Sequence, residues 1–269
     1  MKATTTPVIS LDVRPGLEQS PLLVRTLGQY AVLREGRPIL ENGSGGKPLD
    51  ILMVMIALGK NGLAVKRMED ILWPDSDSPN KTFSINLHRL RGLIGHQALI
   101  QKDRHLRLNP ELCRVDAWEF EAMLNAAAPN RGNGCGVDWN LMEKALVLYQ
   151  GDFLAGQPDT IWNIQYRERL RDLYTRAIQR MAKHLEGQKD WAAATSMLTR
   201  GLQVDPLCES LYQRLISCHH HAGAHAEVEK AFLKCRRMLF ALLGVPPSEE
   251  TIQLYQALSK RHCNEGPLV

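Results

Sequence analysis

SPNKTFSINLHRLRGLIG, residues 78–95, has the pattern of a helix with two different faces. Ser78 is of a type that caps helix N-termini, and Pro79 suits the first helical position. The apolar positions recur at helical spacing and predict one buried stripe, made of Phe83, Leu87, Leu90 and Ile94. The stretch therefore predicts a helix that packs through this stripe and presents its other side outward.

The outward side of this helix is basic, but it is not wholly polar. At about 100° per residue, it carries Lys81, Ile85, His88, Arg89 and Gly92, with Ser84 and Arg91 on a flank. If this outward side faced only water, the apolar side chain of Ile85 would not stabilise the helix. In a DNA major groove, an isoleucine can contact a thymine methyl group while neighbouring cations meet phosphates. Most basic helix faces are only solvated, so the flanking sequence has to decide between the two interpretations.

The sequence on either side of this helix predicts a winged helix. Two strand-like runs, LLVRTLG and YAVLREGRPI with a Glu35-Gly36 turn, are followed by short helices at about 48–59 and 65–73. After residue 95, ALIQK and HLRLN predict a β-hairpin that turns at Asp103-Arg104. The second and third helices would form the helix-turn-helix, and the hairpin would be the wing. The basic side chains of the wing are Lys102, Arg104, His105 and Arg107.

The second half of the chain predicts helices with a 34-residue period. Trp191 opens DWAAATSMLTRGLQVDP, and His225 stands 34 residues later in AHAEVEKAFLKCRRML, which is the tetratricopeptide spacing. The second copy is degenerate, because Val228 occupies the small-residue position and no Asp-Pro pair ends it. Further helices are predicted at about 139–149 and 162–186. The predicted fold class is an α+β N-terminal winged helix followed by an all-α tetratricopeptide-like domain.

Length and charge agree with two domains of different roles. The 269 residues suffice for two hydrophobic cores. We predict a flexible tail at 1–21, the winged helix at 22–110, the helical domain at 111–262 and a C-terminal tail at 263–269. Residues 22–108 carry a net charge of +5, whereas residues 109–269 carry −1. A basic first half and a neutral second half are typical of a nucleic-acid-binding module joined to a partner-binding module.

Several classes of protein are disfavoured by the sequence. The longest apolar run, residues 51–58, is too short to span a membrane, and the N-terminus lacks the apolar segment of a signal peptide. The six cysteines are scattered without a CxxC pair, which predicts reduced thiols and a cytoplasmic location. No nucleophile elbow, HExxH motif or glycine fingerprint is present, so we predict neither an enzyme nor a cofactor.

Three local motifs have competing interpretations. GSGGKP, residues 43–48, lacks the full Walker A spacing and places a proline after the lysine, so a loop that enters a helix is favoured over a phosphate site. His219, His220 and His221 point about 100° apart on a helix, so we predict ordinary helix positions and no metal site. The arginine run at 167–171 does not occupy one helix face, and local ion pairs are favoured over a nucleic-acid contact.

The combination of these segments has a counterpart among known families. In the first half the matching segments are LGQYAVLREGRPI, KPLDILMVMIALGKNG, VKRMEDILWPD, NLHRLRGLIG and LRLNPELCRVDAWEFEAML. In the second half they are ALVLYQGDFLAG, WNIQYRERLRDLYTRAI, GLQVDPLCESLYQRLI and RRMLFALLGVPPSEETIQLYQ. Over residues 22–258 the chain resembles the bacterial transcriptional activator domain proteins, which include the Streptomyces antibiotic regulatory proteins. Those proteins join an OmpR/PhoB-type winged helix to a helical activator domain.

The resemblance implies which side chains contact DNA. By position, Ser84, Ile85, His88 and Arg89 fall where such winged helices present base- and phosphate-contacting side chains. Arg91 falls at a basic position of the motif, and Arg104 at the wing tip, where an arginine commonly enters the minor groove. The sequence departs from the pattern at Lys81, where arginine is common, at His88, where serine or arginine is frequent, and at Gly92, where a basic residue is frequent. The base preference of the family therefore does not transfer.

These arguments predict a cytoplasmic transcriptional regulator, nucleoid-associated when bound to DNA. Affinity is assigned to Lys81, Arg89, Arg91, Lys102, Arg104 and Arg107, and base discrimination to Ser84, Ile85 and His88. The expected partners are duplex DNA, RNA polymerase and, on direct repeats, a second copy of the chain; no membrane partner is expected. The alternative is a protein-interaction adaptor whose winged helix no longer binds DNA.

Overall fold

A computed structural model describes residues 20–41, 46–129 and 136–263. Three predicted features fall wholly or partly outside these residues, namely the N-terminal tail, the first half of the 43–48 loop and the C-terminal tail. The chain splits into two compact units. The first, here called the N-terminal unit, ends at Glu119 and also includes Leu154–Pro158. The second, the helical unit, contains Phe120–Phe153 and the chain from Asp159 onward.

The N-terminal unit begins with a four-stranded sheet. Strands β1 (Leu22–Arg25), β2 (Ala31–Arg34) and β3 (Arg37–Glu41) form an antiparallel meander. The predicted turn between β2 and β3 is present, with positive φ at Glu35 and Gly36 (49° and 75°). Strand β7 (Cys113–Val115) adds to the other edge, parallel to β1. This strand was not predicted, and it lies beyond residue 110, where the winged helix was expected to end.

Three helices and a smaller sheet follow, in the order that the sequence predicts for a winged helix. The helices are α1 (Lys47–Leu58), α2 (Val65–Leu72) and α3 (Pro79–Ile94). The smaller sheet has the strand order β4-β6-β5, made of β4 (Leu63–Ala64), β5 (Leu99–Lys102) and β6 (His105–Leu108). Strands β5 and β6 form the predicted hairpin, and β4 is a two-residue addition that periodicity did not indicate. The N-terminal unit is therefore a winged helix.

A buried carboxylate stabilises the base of this unit. The side chain of Asp116 is fully buried and accepts hydrogen bonds from the Thr26 amide (2.8 Å), the Thr26 hydroxyl (2.6 Å) and the Leu27 amide (3.1 Å). It also accepts a bond from the amide of Ala117 (2.8 Å) at the start of α4 (Asp116–Ala127). The amide of Leu154 donates to the Thr26 carbonyl oxygen (2.8 Å). One carboxylate thus fixes the end of β1 to the start of α4.

The helical unit is an array of antiparallel helices. It contains α5 (Trp139–Leu148), α6 (Ile161–Gly187), α7 (Trp191–Val204), α8 (Glu209–His221), α9 (His225–Leu243) and α10 (Glu249–Cys263). Asp190 caps α7 by accepting a hydrogen bond from the Ala193 amide (3.0 Å). Gly201 of α7 is buried where a Cβ atom would lie 2.9 Å from atoms of Ile178 and of Leu211. Small residues at such positions allow neighbouring helices to pack closely, as the tetratricopeptide period predicts.

Four cysteines of the described chain are free thiols. Cys113, Cys218 and Cys235 are buried, and Cys208 is half-buried. Burial raises the pKa of Cys113 to about 11 and that of Cys218 to about 12, so both thiols stay protonated at neutral pH. No helix within the described ranges is both long and apolar enough to cross a membrane.

Candidate nucleic-acid interface

Helix α3 packs and exposes the two faces that its sequence predicts. Phe83, Leu87 and Leu90 are buried with Ile94, whereas the opposite face is open. Ile85 is 45% exposed although it is a large apolar residue. The exposed members of the predicted contact set on α3 are Lys81, Ser84, Ile85, His88 and Arg89.

Local sequence sets where α3 begins. Pro79 occupies the first turn, and the amide of Thr82 donates to the carbonyl oxygen of Ser78 (3.2 Å). Ser78 stands at the N-cap position, but its hydroxyl makes no capping bond to the described chain, so its predicted capping role is limited to the backbone. The buried amide of Asn86 donates to the Thr82 carbonyl oxygen (2.8 Å), which satisfies a polar group on the inner side of the helix.

The wing carries three exposed cations, of which Arg104 lies in its tight turn. Asp103 and Arg104 both have positive φ (49° and 58°), so the two-residue loop has the geometry that matches the twist of the hairpin strands. The carbonyl oxygen of Arg104 accepts a hydrogen bond from the amide of Val65 (2.9 Å), which ties the wing tip to the start of α2. The side chains of Lys102, Arg104 and Arg107 are exposed.

Helix and wing enclose a groove of about 670 Å³. From α3 it is lined by Asn80, Ser84, His88 and Arg91, and from the wing by Gln101, Arg104 and His105. Arg91 spans it, because its guanidinium donates to the side-chain oxygen of Gln101 (3.0 Å). The groove thus brings together four predicted residues from two elements, namely Ser84, His88, Arg91 and Arg104. The predicted residues Lys81, Ile85, Arg89, Lys102 and Arg107 do not line it.

A second hollow lies on the other side of α3. It has a volume of about 810 Å³ and is lined by Arg89 and Gly92 of α3 together with Lys47 and Pro48 of α1. Lys47 is 55% exposed in its side chain and pairs with Asp50 (3.3 Å). Arg89 therefore faces a different part of the surface from Arg91, with α3 between them.

Five of the predicted cations on this surface have no carboxylate partner. Among the residues that the structure describes, Lys81, Arg89, Lys102, Arg104 and Arg107 form no ion pair with a carboxylate. Phosphates are the partners that unpaired cations on such a helix and hairpin would favour. Arg91 differs from these five because it is half-buried and already hydrogen-bonded to Gln101.

One acidic residue of the groove was missed by the sequence analysis. Glu69 of α2 lines the groove, is only 5% exposed, and its Oε1 is buried without a hydrogen-bond donor from the described chain. The signal was present, since Val65, Met68, Glu69 and Leu72 occupy the i, i+3, i+4 and i+7 positions of an inner stripe. An acidic residue in such a stripe lies beneath a basic face.

The arginine run of the helical unit forms ion pairs, as predicted. Arg167 pairs with Asp159 (2.7 Å), Arg169 with Glu121 (2.7 Å), and Arg171 with Asp152. These cations are therefore neutralised locally, unlike those of α3 and the wing.

The histidine run makes aromatic contacts. His221 stacks on Trp191, with ring centroids 4.9 Å apart, and His220 lies edge-on to His225 (6.1 Å). Burial lowers the pKa of His219, and the nearby Glu227 opposes this effect. The described residues contain no group of three or more histidine, cysteine or acidic side chains that could hold a metal ion.

Comparisons with known sequences give one family match and two relatives. The bacterial transcriptional activator domain family matches residues 115–259, more than half of the chain. The regulatory protein AfsR of Streptomyces griseus is 26% identical over 229 residues, which cover 83% of this chain and 23% of that protein. AfsR of Streptomyces coelicolor is 24% identical over 262 residues, which cover 94% of this chain and 26% of that protein. The chain thus spans about a quarter of the length of these relatives.

A solved structure has the same fold. Mycobacterium tuberculosis EmbR, in complex with a low-affinity phosphopeptide, superimposes with a TM-score of 0.64 at 20% identity. The match covers 93% of this chain and 67% of the EmbR chain. The family match, the two regulatory relatives and the shared fold lead to one conclusion: this chain belongs to the bacterial transcriptional activator domain family.

Proposed function

We propose that this protein is a sequence-specific DNA-binding transcriptional regulator, and specifically an activator. Its winged helix would bind duplex DNA with α3 in the major groove and the wing across the backbone. The observation that carries the proposal is the exposed surface of α3 and the wing, which bears the exposed Ile85 and five cations that form no ion pair within the described chain. It would act in the cytoplasm, on the nucleoid.

The side chains would divide into two roles. Lys81, Arg89, Lys102, Arg104 and Arg107 would meet phosphates and give affinity for any sequence, with Arg91 contributing from the groove. Ser84, Ile85 and His88 would reach base edges and give discrimination. With six phosphate contacts, the slope of log K against log salt would be roughly −5, at about −0.9 per contact.

The helical unit would bind a protein. Stacked helix pairs present extended surfaces to partners, and for a chain with a transcriptional activator domain one such partner would be RNA polymerase. Binding to direct repeats would bring a second copy beside the first, in a head-to-tail arrangement on DNA.

An adaptor without DNA-binding activity is the second candidate. The observation that favours it is Glu69, an acidic residue that lines the groove among the predicted DNA contacts. An adaptor would bind DNA weakly and without a motif.

Selection from a pool of host genomic DNA fragments at two salt concentrations distinguishes the two candidates. We expect the intact protein to enrich a repeated motif, with binding that falls steeply as salt rises. Enrichment of no motif, with weak binding at both concentrations, would instead support the adaptor.

Two substitutions on α3 separate the proposed roles. Arg89→Ala should weaken binding to all sequences and make the salt slope shallower by about 0.9. Ile85→Ala should reduce preference at one A·T pair by roughly 1 kcal/mol, because it removes a contact to a thymine methyl. Lys183→Ala and Ile161→Ala are matched controls on exposed positions of the helical unit. A base-specific loss for Arg89→Ala, or uniform weakening for Ile85→Ala, would refute the assignment.

Gly92→Arg should strengthen DNA binding. Gly92 is exposed in α3, and a Cβ atom built there meets nothing within 4 Å. An arginine would add a cation three residues after Arg89, so we expect the salt slope to steepen by about 0.9 and affinity at low salt to rise roughly three- to tenfold. The helix should also gain up to about 1 kcal/mol of stability, since glycine is a poor helix former.

Gly187→Arg is the control for added charge, because Gly187 is also a helical glycine in open space. If both variants bind DNA equally tightly, the effect comes from net charge alone and the outer face of α3 does not lie against DNA.

A further inference from the structure

Four arginines of the helical unit are half-buried, among those whose side chains the structure describes. Three of them pair with a carboxylate, namely Arg167 with Asp159 (2.7 Å), Arg171 with Asp152, and Arg214 with Glu186 (2.7 Å). The fourth, Arg200 of α7, forms no ion pair within the described chain. Burial removes part of the water around a guanidinium, so a cation in this environment is normally paired. Arg200 therefore carries a charge that the described chain does not balance.

Two neighbours hold the guanidinium of Arg200 in place. It donates a hydrogen bond to the carbonyl oxygen of Leu146 in α5 (3.2 Å). It also lies beside Tyr174 of α6, because burial raises the pKa of Tyr174 and the charge of Arg200 opposes this effect. A guanidinium has more N–H donors than these two neighbours use. Arg200 is thus positioned but not neutralised, and it can donate to a further acceptor.

Arg200 lines a cavity of about 310 Å³ in the helical unit. The other polar side chains of the lining come from α6, α7 and the segment after α5, namely Tyr149, Gln150, Asp152, Tyr174 and Gln203. Sites for small molecules have volumes of about 300–1,000 Å³, so this cavity has room for a small ligand. An apolar molecule would not suit it, because most of the lining side chains are polar.

Two buried tyrosines form an uncharged wall of the cavity. The rings of Tyr149 and Tyr174 are stacked, with centroids 4.3 Å apart. Burial raises the pKa of both tyrosines, so both hydroxyls stay protonated at neutral pH. The hydroxyl of Tyr149 donates to Asp152 (3.2 Å). This wall therefore adds no charge that would offset the charge of Arg200.

The acidic residue of the lining is already paired. Asp152 accepts hydrogen bonds from Arg171 through both carboxylate oxygens, one of them at 3.2 Å. Asp205 also acts on Arg171, but it does not line the cavity. The unbalanced charge at the cavity is therefore the positive charge of Arg200. Asp152 still favours an anion of single charge over a dianion, which it would repel more strongly.

We propose that this cavity is the binding site of a small monocarboxylic acid, whose carboxylate pairs with Arg200. A carboxylate supplies the partner that the three other half-buried arginines have, and it can accept two parallel N–H bonds from a guanidinium. Gln150 and Gln203 are exposed members of the lining. Their amides can donate to and accept from hydroxyl or carbonyl groups, so we expect the rest of the ligand to be polar.

The site would couple a ligand to the stability of the helical unit. Its lining comes from α6, α7 and the segment after α5, so a bound acid would lie against all three. A ligand that binds only the folded unit raises its stability by mass action. All of the lining belongs to the helical unit, so the proposal does not depend on DNA binding by the N-terminal unit.

Isothermal titration calorimetry of the full chain tests the ligand class. The probes are three hydroxy acids of increasing size, lactate, mandelate and gluconate, each compared with its neutral amide. We expect saturable binding of at least one acid and no binding of its amide, which cannot form an ion pair with Arg200. Binding of none of the three acids, or an amide that binds as tightly as its acid, would overturn the proposal.

A pair of arginine variants tests the position of the site. Arg200→Gln should weaken binding of the acid at least roughly tenfold, since it removes the partner of the carboxylate. Arg180→Gln is the control and should leave binding unchanged, because Arg180 is an exposed arginine of α6 that also forms no ion pair within the described chain. If the two variants bind the acid equally well, the carboxylate does not lie at Arg200.

Thermal unfolding separates a binding role of Arg200 from a structural one. Without ligand, Arg214→Gln should lower the melting temperature, because it leaves the half-buried Glu186 without its partner. Arg200→Gln should lower it less, because no carboxylate loses a partner. The acid should raise the melting temperature of the unchanged protein but not that of Arg200→Gln. If Arg200→Gln unfolds at as low a temperature as Arg214→Gln, Arg200 is a structural residue and the proposal is wrong.

Discussion

Replacing Asp116 by alanine is expected to destabilise the N-terminal unit by about 3–5 kcal/mol. The carboxylate is fully buried and accepts four hydrogen bonds, three of them from main-chain amides. Alanine would leave those donors without an acceptor in a site closed to water. Each buried donor without a partner costs about 1–3 kcal/mol, and local relaxation would recover part of the total.

Hydrogen exchange of the full chain measures this effect, because it reports the stability of each unit separately. Amides of β1 should exchange much faster in the variant, while those of α7 should not change. Asp77→Ala is the control, since Asp77 is an exposed acidic residue of the same unit and should cost less than about 0.5 kcal/mol. If the two variants lose the same stability, the buried carboxylate of Asp116 contributes no more to folding than an exposed one.

Gly201→Val is expected to lower the stability of the helical unit by about 2–3 kcal/mol. Even a Cβ atom would lie 2.9 Å from Ile178 Cγ2 and 2.9 Å from Leu211 Cδ1, closer than carbon atoms normally approach. Valine adds two further carbons, so α7 would have to move away from the neighbouring helices. Valine is also a better helix former than glycine, but only by a few tenths of a kcal/mol, which is too little to compensate.

Gly187→Val makes the same chemical change in open space and should leave stability nearly unaltered. Thermal unfolding followed by circular dichroism at 222 nm is suitable, because the α-helical signal comes largely from this unit. If the two variants melt at the same temperature, close packing at Gly201 does not limit the stability of the unit.

Features set by neighbouring residues were predictable from the sequence. The stripe of α3 follows from spacing within one helix, and the hairpin turns at Glu35-Gly36 and Asp103-Arg104 follow from local patterns. The 34-residue period between Trp191 and His225 likewise predicted the positions of α7 and α9. These predictions are confirmed. Each was possible because it depends on a pattern within one stretch of the chain.

Features that need distant partners were not predictable in the same way. Strand β4 has two residues and β7 three, so neither has a detectable period, and each exists only because a distant strand pairs with it. Segment Leu154–Pro158 joins the N-terminal unit across more than a hundred residues of chain, partly through the bond from Leu154 to Thr26. The groove was unpredictable for the same reason, because the hydrogen bond from Arg91 to Gln101 joins α3 to β5.

At the wing turn, backbone stability and DNA binding favour different residues. An arginine at positive φ is strained, at about 1–2 kcal/mol relative to the right-handed region, and glycine adopts this conformation freely. Arg104, with φ of 58°, therefore holds a position where a chain selected only for folding would gain from glycine. On the proposed function, the same side chain supplies a cation to DNA. The residue at this position in a set of relatives would thus indicate which wings are still under selection to bind nucleic acid.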